Sequence, residues 1–298
     1  MQLAEDLRST PADRPAATMA GLVCLVTGAT SGIGRATALR FAQRGATVGI
    51  VARNAERGTA TLDQIATETG NEDVHLFVAD LSSQSAVRRL AGDFARRLER
   101  LNVLVNDAGI FVRERVVTKD GFELMFATNQ LAPFLLTLLL LPALENAAPA
   151  RVINVTAPST VKPDFDDLQG ERRFRPARAF GASKAANLLS TFALARRLTG
   201  GEVTVNAFHP GIVRTELMRN ASLPMRFLSR TLNVLRGKPP EDAANEIAEL
   251  AISPSFQRTS GKLIHDGKVI RSPFEDDVEA QERLFQACEA LTGVRFAG

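Results

Sequence analysis

Short hydrophobic runs alternate along this chain with longer stretches whose apolar residues recur at helical spacing. The runs predict strands at residues 22–26, 47–52, 74–79, 102–106, 151–156, 203–208 and, more briefly, 262–265. The periodic stretches predict helices at residues 35–44, 55–69, 82–100, 121–141, 181–198, 241–252 and 275–291. Such alternation favours a parallel sheet with helices on both faces. We therefore expect an α/β fold, a single-domain doubly wound (Rossmann-type) parallel sheet of about seven strands.

The first 20 residues lack this periodicity and contain Pro11 and Pro15, so they predict a loose extension before a single domain at 21–298. They have no apolar core typical of a signal peptide. The longest apolar run, at 131–144, is too short to cross a bilayer and predicts no transmembrane segment. The two cysteines form neither a metal-binding spacing nor a disulfide framework, which favours a reducing cytoplasm and no metal.

The net charge of +3 comes from 36 basic and 33 acidic residues scattered along the chain, which gives no basis for binding nucleic acid. The aromatic composition changes the picture more. The chain contains 17 Phe but no Tyr and no Trp. Because those two residues combine a large apolar body with a polar tip, their absence removes every phenolic acid and every indole donor.

Candidate chemistry begins where the first predicted strand meets the first helix. Residues 27–34, TGATSGIG, place Gly28, Gly32 and Gly34 between them. Glycine at these positions permits a sharp turn and lets backbone approach a pyrophosphate. The free N–H groups at a helix start favour an anion. The context of strand, glycine turn and helix thus predicts a dinucleotide site.

Further motifs follow other strand ends: Asp80-Leu81, Asn106-Asp107-Ala108-Gly109 and Pro210-Gly211 with Thr215. With Asn129 and Ser183-Lys184, this set resembles the short-chain dehydrogenase/reductase family over about residues 20 to 290. The sequence at 121–138, 183–198 and 208–217 is most similar to that of the family's retinol-dehydrogenase-like branch. The resemblance implies an oxidoreductase acting on lipophilic alcohols and carbonyls. It also implies a homodimer or homotetramer, with helices 121–141 and 180–198 as the usual dimer faces.

The resemblance assigns the cofactor pocket residue by residue. The pyrophosphate and helix-start positions are Gly28, Thr30, Ser31, Gly32, Ile33, Gly34 and Arg35. The adenine and ribose positions are Arg53, Asp80, Leu81, Asn106, Ala108, Gly109 and Lys184. The nicotinamide positions are Pro210, Gly211, Val213 and Thr215. A carboxylate at the end of the second strand would bind the ribose diol of NAD. This chain has Arg53 there and Arg35 nearby, and because arginine forks onto phosphate, NADP(H) is favoured over NAD(H).

The sequence departs from the family pattern at the catalytic positions. The family uses a Tyr four residues before Lys184 as the acid, and here that residue is Phe180. The catalytic Ser aligns with Ala157, and Thr156 or Ser159 could supply a hydroxyl if the loop shifts. Lys184, Asn129, Thr156 and Phe180 are therefore the candidate catalytic set. Asp107 replaces a usual Asn, which is a minor change at the level of sequence.

Two explanations of Phe180 stand open. One is a chain-wide drift away from Tyr and Trp, and the other is release of the site from carbonyl reduction, which the paired loss at 157 and 180 favours. The second explanation suits reduction of a conjugated alkene or imine. Two further functions remain as alternatives: a non-redox cyclase, dehydratase or isomerase, and a catalytically silent scaffold that senses NADP(H).

Residues 216–238 mix Leu, Met and Phe with Arg, at the place where the family has a mobile substrate lid. They predict a lid over a lipophilic substrate, with an amphipathic surface helix as the alternative. His209 falls beside the nicotinamide end, and we expect it to be structural rather than a replacement acid, because the His-Pro-Gly wording is common in the branch.

Overall fold

The computed structural model of the protein describes residues 18–214 and 237–297. Eight strands form one sheet in the order β3-β2-β1-β4-β5-β6-β7-β8. They are β1 Val23–Thr27, β2 Thr47–Ala52, β3 Val74–Val78, β4 Val103–Asn106, β5 Ala150–Val155, β6 Val203–Phe208, β7 Leu263–His265 and β8 Lys268–Ile270. Strands β1 to β7 pair in parallel, and β8 pairs antiparallel with β7. Strand β8 was not predicted, because it has three residues, two of them exposed, and no hydrophobic run.

Helices cover both faces of this sheet. They are α1 Gly32–Gln43, α2 Ala55–Thr69, α3 Gln84–Leu98, α4 Leu124–Phe126, α5 Ala132–Leu139, α6 Leu141–Glu145, α7 Pro176–Arg197, α8 Pro240–Ile252 and α9 Val278–Thr292. One layer of the core packs beneath α3, α5, α7 and α9, and the other beneath α1 and α8. No helix in the described ranges is long and apolar enough to cross a membrane.

The order of the strands fixes where a ligand can bind. The chain runs from β1 outward to β3, and then returns to the other side of β1 to start β4. The loops after β1 and β4 therefore leave the sheet in opposite directions and open a crevice between them at the carboxyl ends of the strands. In open α/β sheets this reversal point is where ligands bind.

Local chemistry explains why most predicted boundaries agree with the structure. Helix α2 begins after Asn54, whose side chain accepts a hydrogen bond from the Arg57 N–H, and it ends at Gly70 in the left-handed conformation. Ser83 caps α3 in the same way. Capping side chains satisfy N–H groups that a helix start leaves without partners, and glycine adopts positive φ without strain.

The prediction of one long helix at 121–141 was wrong. The structure divides this stretch into α4, a π-helical turn at Ala127–Leu131, α5 and then α6. Glu123 caps α4 by accepting hydrogen bonds from the N–H groups of Met125 and Phe126, so the helix cannot start at 121. Pro142 lies in the first turn of α6 instead of following the helix, and a proline is tolerated there because that N–H has no helical partner.

Candidate active site

One cavity of about 480 Å³ opens at the carboxyl ends of β1, β2, β3, β4, β5 and β6. It brings together most of the predicted site residues from seven separate parts of the chain. The predicted residues that line it are Gly28, Thr30, Ser31, Gly32, Ile33, Arg53, Asp80, Leu81, Ala108, Gly109, Thr156, Phe180, Lys184, Pro210, Gly211 and Val213. Gly34, Arg35, Asn106 and Asn129 do not line the cavity, and Thr215 lies outside the described residues.

The glycine turn after β1 leaves no room for side chains. Gly28 has φ +70°, and a Cβ there would lie 3.0 Å from the backbone of Ala108. A Cβ on Gly34 would lie 2.6 Å from the Gly28 carbonyl oxygen and 2.7 Å from a carboxylate oxygen of Asp107. Gly34 therefore supports the turn from behind, and the backbone at 30–33 faces the cavity. This backbone cradle fits a nucleotide pyrophosphate at the start of α1.

Two arginines border the cavity at the end of β2. Arg53 was predicted, and Arg57, in the first turn of α2, was missed because the resemblance assigned no role to that turn. Asn54 lies between them and holds the start of α2. Arg35 belongs elsewhere, since its guanidinium lies 3.8 Å from Glu68 and does not line the cavity. Of the two predicted arginines, Arg53 lines the cavity and Arg35 does not, and Arg57 is the second arginine at that edge.

Asp80 and Leu81 follow β3 and border the same end of the cavity. The Asp80 carboxylate accepts hydrogen bonds from the N–H and the hydroxyl of Ser82, at 3.0 and 2.8 Å. This small turn fixes the direction of the carboxylate before any ligand binds. A fixed acceptor next to an apolar Leu is suited to an adenine base, which offers an amino group and two flat faces.

Asn106 was assigned to the ribose side of the pocket, and the structure corrects this. Its amide donates to the Thr137 hydroxyl at 3.1 Å and to the Asn154 side chain at 2.8 Å, within the buried interior. The Thr27 hydroxyl accepts hydrogen bonds from the N–H groups of Asp107 and Ala108, at 3.0 and 3.1 Å. Asn106 and Thr27 thus hold the β4 loop in place, and Ala108 is the residue of this group that borders the cavity.

Lys184 and Asn129 meet beside Gly109. The Lys184 ammonium and the Asn129 amide oxygen each lie 3.6 Å from the position of a Gly109 Cβ. Asn129 exchanges two hydrogen bonds with the backbone of Ile110, at 2.8 and 3.1 Å, and donates to the Ser183 hydroxyl at 3.0 Å. Asn129 lies in the π-helical turn, a feature that occurs frequently at functional sites. Its bonds align the β4 loop with α7, and therefore with Lys184.

The Lys184 ammonium is buried and donates to the Val155 carbonyl at 3.2 Å. Burial lowers the pKa of Lys184, and the negative charge of Asp107 opposes that shift. The same ammonium lies 5.9 Å from the centre of the Phe180 ring, four residues earlier on α7. The i, i+4 spacing therefore places Phe180 and Lys184 on one helix face, towards the cavity.

The Phe180 ring borders the cavity in an apolar surround. Phe111 meets it edge to face, with ring centres 5.7 Å apart. Ile110, Val112 and Phe174 complete this cluster. Helix α7 starts at Pro176, five residues before the predicted start at 181, so Phe180 is held within the helix and not in a loop. The ring position is thus well defined, and it carries no hydroxyl.

The hydroxyl groups near the end of β5 are engaged in hydrogen bonds within the protein. Thr156 lines the cavity, but its hydroxyl donates to the Lys184 backbone carbonyl at 3.2 Å. The prediction of Thr156 as a hydroxyl donor to a substrate is corrected, because this proton holds α7 against β5. Ala157 also lines the cavity. The Ser159 hydroxyl accepts from the Val161 N–H at 3.2 Å and does not border the cavity.

Asp107 is a functional candidate to which the sequence gives little weight. It is half-buried and borders the cavity, with a carboxylate oxygen next to the glycine turn. Burial raises the pKa of this carboxyl to about 7, while the charge of Lys184 and the N–H of Gly34 both act to lower it. Asp107 and Lys184 are therefore electrostatically linked groups in one cavity. The sequence feature that could have identified Asp107 as a functional candidate is its acidic side chain, because the family motif usually has Asn at this position.

His209 follows β6 and borders the cavity, and hydrogen bonds with backbone groups hold it in place. Its Nδ1 accepts a hydrogen bond from the Gly211 N–H at 3.3 Å, which places the ring proton on Nε2. The ring stacks on His265, with centres 4.6 Å apart, and His265 Nδ1 bonds the His209 carbonyl oxygen at 2.8 Å. Burial, with the nearby His265, lowers the pKa of His209 to about 4. His209 is therefore a neutral hydrogen-bonding group near pH 7.

The predicted lid at 216–238 lies outside the described residues except for its last two positions. Lys238 pairs with Val213 in a parallel bridge, with the Arg214 N–H donating to the Lys238 carbonyl at 3.1 Å. Several cavity residues were not identified from the sequence. They include Arg57, Ser82, Ile110, Phe111, Leu124, Thr128 and Ile212. Apolar loop residues such as Ile212 have no periodic pattern that could have identified them.

Comparison with known proteins agrees with this geometry. The family model described as short chain dehydrogenase matches residues 22–225. Retinol dehydrogenase 13 from Homo sapiens is 39% identical over 287 residues, covering 93% of this chain and 86% of that protein. Retinol dehydrogenase 12 from Homo sapiens is 38% identical over 279 residues, covering 93% of this chain and 88% of that protein.

The solved structures of similar shape support the same family. An uncharacterized protein from Mycobacterium Paratuberculosis superimposes with a TM-score of 0.76 at 30% identity, covering 97% of this chain and 99% of that one. The RhlG/NADP active-site complex from Pseudomonas aeruginosa gives a TM-score of 0.69 at 30% identity, covering 85% and 98%. Sequence, fold and cavity therefore agree that the chain belongs to the short-chain dehydrogenase family, as an oxidoreductase similar to the retinol dehydrogenases.

Proposed function

We propose that this protein is an NADP(H)-binding oxidoreductase that acts on a lipophilic small molecule at a site without a tyrosine acid. One observation carries the proposal. A single cavity joins a glycine turn and two arginines at one end to Lys184 and a cluster of phenylalanines at the other. The first end suits a phosphorylated dinucleotide, and the second suits an apolar substrate.

The cofactor preference rests on Arg53 and Arg57. Both border the cavity at the end of β2, where a carboxylate would favour the unphosphorylated ribose. A guanidinium forks onto phosphate oxygens through two parallel hydrogen bonds. We therefore expect NADP(H) to bind more tightly than NAD(H).

The substrate preference rests on the walls of the reacting end. Phe111, Phe180 and Ile110 border the cavity, and Leu124 adds to the same wall. Large apolar surfaces favour an apolar ligand, because its burial removes hydrocarbon from water. The relatives named retinol dehydrogenases agree with a lipophilic alcohol or carbonyl compound. A conjugated alkene or an imine is the second substrate type that this wall accommodates.

The proposed reaction needs a hydride transfer and a proton transfer, which come from different groups. A bound nicotinamide cofactor supplies or accepts the hydride. Phe180 shapes the reacting end without a proton to give, while Lys184 keeps a positive charge beside it. A positive charge stabilises the oxyanion that forms when a carbonyl is reduced. We infer that the proton comes from Lys184 through water, or from solvent.

A binding titration followed by a substrate panel tests this function. NADPH and NADH are titrated into the protein while the cofactor fluorescence is recorded, with little background because the chain lacks Tyr and Trp. Lipophilic aldehydes, ketones, enones and imines are then tested for cofactor oxidation. Tight NADPH binding with turnover of at least one class supports the proposal. Absence of NADPH binding and of turnover across the panel would refute it.

A second candidate is a non-redox enzyme on the same scaffold, such as a cyclase, dehydratase or isomerase. The loss of hydroxyl groups at both Phe180 and Ala157 favours it, because these positions serve carbonyl reduction in the family. Conversion of a substrate without any net change in the cofactor would support this candidate. A catalytically silent NADP(H)-sensing scaffold would instead bind NADPH and show no conversion in any assay.

A further inference from the structure

The carboxyl group of Asp107 lies directly behind the glycine turn. One of its oxygens is 3.3 Å from the position of a Gly28 Cβ and 2.7 Å from that of a Gly34 Cβ. The nearby Gly34 N–H acts to lower the pKa of this carboxyl. Asp107 is half-buried and borders the cavity, so solvent screens its charge only in part. A partly screened negative charge therefore lies within a few ångströms of the backbone that would carry a pyrophosphate.

A carboxylate at this position opposes the binding of an anion. The pyrophosphate of a dinucleotide is doubly negative, and like charges in a partly screened site raise the cost of keeping both ionised. A carboxylic acid has no such cost. The protonated acid also gains an O–H donor. An acceptor is close by, since the Gly28 carbonyl oxygen and the Asp107 carboxyl oxygen lie 2.6 and 2.7 Å from the same point, the position of a Gly34 Cβ.

We propose that Asp107 is a positioning residue for the cofactor: it takes up one proton from solvent when a nucleotide pyrophosphate enters the glycine turn, and the neutral acid then supports the turn. The proposal rests on the proposed cofactor binding and deepens it. In the free protein, Asp107 is the negative partner of Lys184. In the complex, the pyrophosphate takes over as the negative charge in the cavity, and the acid no longer competes with it.

The charged groups around Asp107 are consistent with this exchange. Lys184, from α7, is the charged side chain whose positive charge acts on the Asp107 carboxyl. Arg53 and Arg57, at the end of β2, and Asp80, after β3, border the same cavity. His209, after β6, is neutral above about pH 5 because its pKa is lowered to about 4. His209 therefore keeps its charge constant over the range in which Asp107 titrates.

Calorimetric titration of the full chain with ADP-ribose measures the proton directly. ADP-ribose has the pyrophosphate but lacks the 2′-phosphate, so the charge of the ligand stays constant around neutral pH. Titrations at one pH in buffers of different ionisation heat give the number of protons taken up per ligand bound. We expect uptake approaching one proton at about pH 8 and near zero at about pH 5.5, since the acid is already protonated there. The affinity should fall by up to tenfold per pH unit above about pH 7.

Two variants separate this role from a structural one. Asp107→Asn keeps the shape but cannot titrate, so it should show no uptake and an affinity that does not change with pH. Lys184→Met removes the cation that keeps the carboxyl ionised, so the uptake should disappear even where the affinity is reduced. A thermal melt of each variant verifies that it is folded.

The outcomes distinguish this proposal from the proposed function. Binding of ADP-ribose without proton uptake at about pH 8, or uptake that persists in Asp107→Asn, overturns the role of Asp107 and leaves the cofactor site standing. Binding of neither ADP-ribose nor NADPH at any pH overturns both. Uptake that depends on Asp107 and Lys184 together supports the proposal.

Discussion

The two ends of the cavity follow different rules of construction. At the nucleotide end, the turn at 27–34 acts through backbone geometry, with Gly28 at φ +70° and Gly34 packed against a carbonyl oxygen. At the reacting end, function would depend on single side-chain atoms, and Phe180 and Ala157 lack them. A backbone cradle is specified by several residues at once, whereas one oxygen atom is lost in one substitution. Under the proposed function, the comparison teaches that this fold can keep its cofactor site while its chemistry changes.

The largest effect is expected from adding a hydroxyl group to the ring at position 180, which would make the reacting end resemble the family pattern again. Phe180→Tyr places a phenol one helical turn before Lys184, whose charge favours the phenolate. Because a positioned acid contributes about 10²–10⁴ in rate, we expect reduction of lipophilic ketones and aldehydes to rise by a factor in that range. The rate of NADPH oxidation measures it.

Phe111→Tyr is the matched control, because it adds the same oxygen to the neighbouring ring of the edge-to-face pair. That ring is not on α7 and has no i, i+4 relation to Lys184. We expect no comparable gain. Equal rates in wild type and Phe180→Tyr would show that another group already supplies the proton, and the two ends would then be equally intact.

A single added methyl group should disrupt the glycine turn at the nucleotide end. In Gly34→Ala the new Cβ meets the Gly28 carbonyl at 2.6 Å, and backbone cannot move aside as a flexible side chain can. Overpacking of this kind costs about 1–3 kcal/mol, and the turn should lose its nucleotide affinity as well. Urea unfolding gives the free energy of unfolding, and cofactor fluorescence gives the affinity.

Gly92→Ala provides the comparison within α3. A Cβ at Gly92 has one neighbour, the Arg96 guanidinium at 3.5 Å, so the methyl group has space. Alanine in a helix is favoured over glycine by about 1 kcal/mol, so this variant should gain stability and bind NADPH normally. A Gly34→Ala protein as stable as wild type would contradict the steric argument.

The arginines at the end of β2 sharpen the comparison from the nucleotide side. Replacement of Arg53 or Arg57 by Ala removes hydrogen bonds to a charged group, worth about 1.5–3 kcal/mol each. We expect the dissociation constant for NADPH to rise by about ten- to a hundredfold, with little change for NADH. Arg35→Ala should leave both unchanged, since Arg35 pairs with Glu68 instead. Parallel losses for NADPH and NADH would refute a 2′-phosphate contact.

The fold could be predicted from the sequence because its signals are local and repeated. Hydrophobic runs located β2 and β6 at their observed bounds, and Asn54 with Gly70 fixed both ends of α2. The stretch at 121–141 defeated the same reasoning. Its apolar residues resume after Thr128-Asn129-Gln130, whereas the breaks come from the local cap at Glu123 and from the π-helical turn, neither of which hydrophobic spacing reveals.

The site residues could be predicted only where a sequence motif specifies both the residue and its role. The glycine turn and Lys184 lie in one cavity as expected. The direction of a side chain is a different matter, because it depends on partners distant in sequence. Asn106 turns inward to Thr137 and Asn154, and Arg35 turns to Glu68. Arg57 faces the cavity although no motif names it.

The smallest expected effect is on the pH dependence of stability, where the two ends act in opposite directions. The pKa of His209 is lowered to about 4, so the unfolded chain binds more protons below about pH 6.5. His209 therefore destabilises the fold as the pH falls from about 6.5 to 4. The pKa of Asp107 is raised to about 7, so the folded state binds more protons below it. Asp107 therefore stabilises the fold as the pH falls through about 7 to 4.

Urea midpoints measured between about pH 4 and 8 without nucleotide separate the two contributions. Since the slopes oppose each other, wild type should change little over this range. His209→Asn should leave the Asp107 slope, so that stability rises as the pH falls, and Asp107→Asn should leave the His209 slope, so that stability declines. His75→Asn, in β3 beside Asp73 and away from the cavity, serves as the control. If both cavity variants follow the wild-type profile, neither group titrates differently in the folded and unfolded states, and the electrostatic contrast between the two ends is wrong.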